Sequence, residues 1–139
     1  MDGWPGKRAV RRFRSCWPSA PPVGAGTVAE RRDDVRNTAA VFETALGEGA
    51  YDRMCAVLAP ATVQELEQSS GSPCAKALSE ESPAPGGPLR RTDVYGNQAR
   101  TVLSSDTLFL SHFTSSWKVV AAGCEPQPQQ LYQCRIKGG

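Results

Sequence analysis

The seven residues SPAPGGP, Ser82 to Pro88, constrain this chain more than any other stretch, because no regular element can run through them. Three prolines remove backbone donors and fix φ, and the paired glycines loosen the chain where a helix or strand needs restraint. The hydrophobic period differs on the two sides of the break. Upstream, Val35, Ala39, Phe42 and Leu46 recur at spacings of four, three and four, which is one apolar stripe of a helix. Downstream, "RRTDVYG", "QARTVLS", "DTLFLSHF", "WKVVAAGC" and "LYQCRIK" have the composition and period of strands.

The upstream half carries four helix starts. Thr27 and Glu30 make a capping box for a helix that Gly47 and Gly49 end. "AYDRMCAVL" predicts a second, short helix stopping before Pro60, and Thr62 with Glu65 predicts a second capping box for a third. Pro73 opens a fourth, "PCAKALSEE", at a first-turn position. In the downstream half, Gly96-Asn97 between two strand runs is a hairpin signal. Connections this short favour antiparallel neighbours in a meander. Helices first and then a meander is the pattern of an α+β layer, with N-terminal helices packed on a curved antiparallel sheet of about five strands.

Residues 1–26 read as a basic, Pro- and Gly-rich leader or linker, and residues 27–139 as a single domain. A domain of about 110 residues buries about two-thirds of its surface, so cross-links add much to its core. Five cysteines are present: Cys16 in the leader, then Cys55, Cys74, Cys124 and Cys134. The last four allow three pairings. The most local one joins Cys55 to Cys74 and Cys124 to Cys134, each bridge contributing about 3 kcal/mol in the chain-entropy model. The alternative is four unpaired core thiols. A metal site is not expected, since no pair has CxxC spacing and His112 is the only histidine. On this reading Cys124 ends the fourth strand and Cys134 lies in the fifth, so a bridge would keep the last strand from peeling.

Paired cysteines belong to an oxidising compartment. The leader speaks less clearly. Lys7, Arg8, Arg11, Arg12 and Arg14 against Asp2 suit the start of an export signal, and "SC" before Pro, Ser and Ala resembles a lipoprotein cleavage site at Cys16. The apolar segment such a signal needs is missing, and Arg14 stands where a lipobox wants a small or apolar residue. Either the true start lies upstream and the protein is extracytoplasmic, or it is cytoplasmic with a basic tail. From residue 21 on, eleven basic groups face thirteen acidic ones, and no basic-and-aromatic face recurs, so nucleic acid is not the expected partner. No stretch reaches the ~18 apolar residues of a membrane-spanning helix.

"AVFETALGEGAYDRMCAVLAPATVQELEQ", "PCAKAL", "VYGNQARTVLSSDTLFLSHFTSSWKVVAAGC" and "YQCRIKGG" together resemble a group of small exported, often lipid-anchored, proteins of actinobacteria. Their layout is similar to the SnoaL-like cone of the nuclear-transport-factor superfamily. The resemblance implies a cone-like domain, extracytoplasmic and disulfide-bonded, whose sheet lines a concavity. Cone proteins include enzymes and pure binding modules, so the fold settles neither. A cone enzyme would set His112 beside a carboxylate, Asp106 or Asp52, for acid–base work of the isomerase or hydratase type. The plainer readings are a sheet-end histidine and a helix-capping Asp52. Tyr95 and Trp117 are candidates to line a ligand pocket, or to fill a small core. The expectation carried forward is a non-catalytic domain, without cofactor, that binds a partner protein or small ligand in the sheet-lined concavity.

Overall fold

The computed structural model describes residues 27–127 and 130–138, and places four helices before one five-stranded antiparallel sheet. Cys16 lies outside the described residues. The helices are α1 (Val28–Glu48), α2 (Tyr51–Val57), α3 (Pro60–Ser70) and α4 (Cys74–Glu81). The strands are β1 (Leu89–Tyr95), β2 (Gln98–Leu103), β3 (Thr107–Phe113), β4 (Ser116–Gln127) and β5 (Gln130–Lys137), paired in chain order. The sheet is an open meander, with β1 and β5 at its edges.

Helix α1 starts as its sequence requires. Glu30 N–H donates to Thr27 Oγ1 at 3.0 Å, and Thr27 N–H donates back to Glu30 Oε1 at 2.8 Å. Its stripe of Val35, Ala39, Phe42 and Leu46 is buried, joined by Ala45. Met54, Leu78, Leu108, Leu110, Val119 and Ile136 are fully buried with it and form one core between helices and sheet. Burying each large apolar side chain favours folding by about 1.5–3 kcal/mol, so this layer supplies most of the driving force.

The third helix corrects the sequence reading. It begins at Pro60 with Ala59 as N-cap, not at Thr62. Proline fits the first turn, where its missing N–H would have had no intrahelical partner. Thr62 is thereby carried inside the helix and fully buried, and its hydroxyl donates to the Val120 carbonyl at 2.9 Å. That carbonyl is free because Val120 is an extra residue in β4: Leu110 pairs with Val119 and Phe109 with Ala121. Gly138 N–H also reaches Val120 O, at 3.1 Å, and Ala59 N–H reaches Val119 O at 2.8 Å. The β4 bulge is thus the seam that ties α3 and the end of β5 to the middle of the sheet. Helix α4 gets its cap from a neighbour, since Cys74 N–H donates to Glu67 Oε2 at 3.0 Å.

Both local disulfides form. Cys55–Cys74 joins α2 to α4 with Cα atoms 6.2 Å apart, and Cys74 belongs to the core. Cys124–Cys134 joins residues directly opposite each other in β4 and β5, 4.0 Å apart at Cα. Cys124 does not end its strand, as the sequence suggested; β4 continues to Gln127 because the ladder with β5 runs past the bridge.

Candidate functional site

Two of the residues singled out by sequence stand at opposite ends of β3, Asp106 just before it and His112 within it. Asp106 precedes Thr107, while His112 is the penultimate residue of the strand. Six residues at about 3.3 Å each put them roughly 20 Å apart, too far to exchange a proton.

At the His112 end the histidine faces Trp117 across the β3–β4 ladder. The rings lie 5.1 Å apart at 60°, in an edge-to-face arrangement, and Trp117 is buried. Arg31 of α1 sets its guanidinium 5.4 Å from the Trp117 ring centre and donates to the Gly96 carbonyl and to Asn97 Oδ1. His112 N–H donates to Asn97 O at 2.8 Å. In the β1–β2 turn, Gly96 has φ +59° and Asn97 does not share that sign, the pattern of a type II′ hairpin. This end of the molecule therefore joins α1, the β1–β2 turn and the β3–β4 pair through one indole. Sequence reading named His112 and Trp117 but not Arg31, whose "ERRDD" setting reads as an exposed helix face.

At the other end Asp106 is a backbone clasp. Its carboxylate accepts Thr107 N–H at 2.6 Å, Gly123 N–H at 3.2 Å and Cys124 N–H at 2.8 Å. Gly123 has φ +66°, a conformation that interrupts the pleat of β4, and a Cβ there would sit 3.2 Å from Arg135 Cβ. Opposite this kink β5 changes sides. Ile136 is buried in the helix-side core, whereas Tyr132 packs on Phe109, 5.0 Å away at 72°. In a regular strand those two positions would share a face. Cys124, although buried, does not join the core.

Phe109 stands between the buried Leu108 and Leu110 and so points to the face that the helices leave bare. The β1–β2–β3 register adds Asp93 and Arg100 beside it, with Arg91 and Tyr95 on the same side of β1. Asp93 Oδ2 accepts from Arg100 at 3.0 Å and from Arg91 at 3.1 Å. The Arg100 hydrogen bond, opposed by desolvation and helped by the Arg91 charge, holds the Asp93 carboxyl below its ordinary range. Tyr95 is 60% exposed, so it does not share a pocket with the buried Trp117, whose side chain lies on the helix side. Asp52 is exposed in the first turn of α2, a helix without a side-chain cap. Nothing in the local pattern announces Arg100, Phe109 and Tyr132 as one cluster, because Tyr132 reaches Phe109 only where β5 changes sides opposite the β4 kink.

On the helix side the sheet is covered by the core side chains. An open depression at the α3–α4 turn is lined by Glu67, Gly71, Ser72 and Pro73, and Glu67 is already engaged by Cys74. Among the described residues, no three His, Cys, Asp or Glu side chains are grouped to hold a metal ion. No described helix is long and apolar enough to cross a membrane. Compared with known proteins, the chain matches no family model, no curated protein and no solved structure.

Proposed function

We propose that this chain is a non-catalytic, extracytoplasmic binding domain whose partner protein docks on the helix-free face of the sheet. The observation that carries the reading is the composition of that face: Tyr95, Arg91, Arg100, Phe109 and Tyr132, with Asp93 as the one carboxylate among them. Tyrosine, phenylalanine and arginine are the side chains enriched where proteins meet. Two arginines against one aspartate give the patch a positive balance, so the matching surface is acidic at its rim and apolar at its centre. Two disulfides support a compartment outside the cytosol, where such bonds persist. The resemblance to exported actinobacterial proteins and to the SnoaL-like cone agrees with this location and with the helices-then-sheet order, and it is part of the proposal. The acid–base alternative gains no support from Asp106, which stands at the opposite end of β3 from His112.

The test is site-directed photo-cross-linking in the protein's own cell envelope. A benzophenone amino acid replaces Tyr95 on the bare face or, as a control, the exposed Val41 of α1. The reading expects one discrete adduct from position 95 that Arg91→Glu abolishes, and none from position 41. Adducts of equal yield from both positions, or none from position 95, overturn it.

A further inference from the structure

We propose that Glu43, Gly86 and Asp106 form a proton-operated latch that fastens α1 to the sheet when Glu43 carries a proton and slackens when it ionises. Glu43 lies on α1, and its Oε1 accepts the Gly86 N–H at 2.7 Å. Its Oε2 is buried without a hydrogen-bond partner. An ionised oxygen in that position has no donor to replace lost water, which disfavours the charge. Gly86 is wedged beneath: a Cβ there would meet Leu103 Cδ1 at 2.5 Å and Asp106 Cβ at 2.8 Å. Asp106 is therefore just across the glycine, and it is the charged group that acts on Glu43. The loop from Ser82 to Pro88 bears no ionisable side chain, and neither do Ala39, Ala40, Leu46 and Gly47 flanking Glu43 on α1. On the elements packed against α1, Asp93 pairs with Arg91 and Arg100, Lys118 donates to the Ala56 carbonyl, and Arg53 of α2 pairs with Glu48.

The proton's effect has a path into the sheet. Gly86 O accepts from Ser105 N–H at 2.8 Å and from Ser104 Oγ at 3.2 Å. Those residues lead into Asp106, whose carboxylate holds the Gly123–Cys124 kink. Burial first, and the Asp106 charge in addition, raise the Glu43 carboxyl above its ordinary range against the opposing Gly86 hydrogen bond. Folding thus binds a proton in the window above the unfolded value of 4.5, and the latch's stability is lost as pH rises through the folded value.

Thermal unfolding of the full chain and of Glu43→Gln, from about pH 8 down to about pH 4, tests this, with amide exchange read at Gly86, Gly123 and Cys124. The glutamine variant is expected to melt higher than the natural chain at the alkaline end, with the gap closing in acid. Protection of the Gly86 amide, corrected for intrinsic exchange, is expected to rise several-fold on acidification in the natural chain and to stay level in the variant. A gap that does not change with pH, or level protection in the natural chain, overturns the latch. If the variant does not fold, the carboxyl carbon of Glu43 decides. Titration above 4.5 upholds the proposal and titration at or below it sinks it.

Discussion

The helix-covered face of the sheet and its bare face are made by the same alternating strands, but different forces hold them. On the covered face Leu108, Leu110, Val119 and Ile136 are fully buried in one core with the helices, and apolar area removed from water does the work. On the bare face Asp93 is shared by two arginines and Phe109 meets one tyrosine edge-on, while Tyr95 stands in solvent. Interactions of that second kind contribute little to stability where water screens them. The covered face therefore accounts for the fold, and the bare face is free to serve another purpose.

That contrast can be broken first at Phe42. Replacing this fully buried ring by alanine is expected to cost about 3–5 kcal/mol, a large share of a small domain's total, seen as a lower denaturant midpoint. Next come the two bridges, which close loops of 19 and 10 residues and have similar chain-entropy worth of about 3 kcal/mol. Their removal is nevertheless expected to differ. Cys55→Ala with Cys74→Ala also thins the core and should lower the melting temperature more than Cys124→Ala with Cys134→Ala, whose strands stay hydrogen-bonded. Equal losses would mean that the two faces are not energetically distinct. The smallest effect belongs to Asp93→Asn. Because Asp93 is held below its ordinary range when folded, its stabilising contribution is present at neutral pH and lost as pH falls through the folded value. The variant should therefore melt slightly lower than the natural chain near neutrality and match it in acid, and a deficit that persists in acid would show that the lost interaction is not ionic.

Much of the architecture was readable because it rests on local rules. The Thr27–Glu30 box, the Phe42 stripe, the Gly96-Asn97 turn and the SPAPGGP break each act within a few residues, so composition and spacing expose them. Thr62 shows where such rules mislead. Thr62 and Glu65 have the spacing of a cap, but the helix begins earlier at Pro60 and the hydroxyl goes to a carbonyl in β4, 58 residues away. Asp106 misled in the same manner. As a carboxylate on the strand of the only histidine it resembled half of a catalytic pair, yet the backbone N–H groups of Gly123 and Cys124 claim it.

Period, turn chemistry and short loop length are enough to set the order of helices and strands and their antiparallel succession, and they favour the most local of three cysteine pairings without deciding it. Packing in three dimensions settles the rest: Asp106 is a structural carboxylate, Arg31 sits over Trp117, and Tyr132 lies on the bare face beside Phe109. The Thr62 contact and the Asp106 clasp depend on a bulge at Val120 and a left-handed residue at Gly123, which change the facing of whole segments. A shift of one residue in a ladder exchanges the two faces of a strand, and nothing in its own alternation records that the shift has occurred.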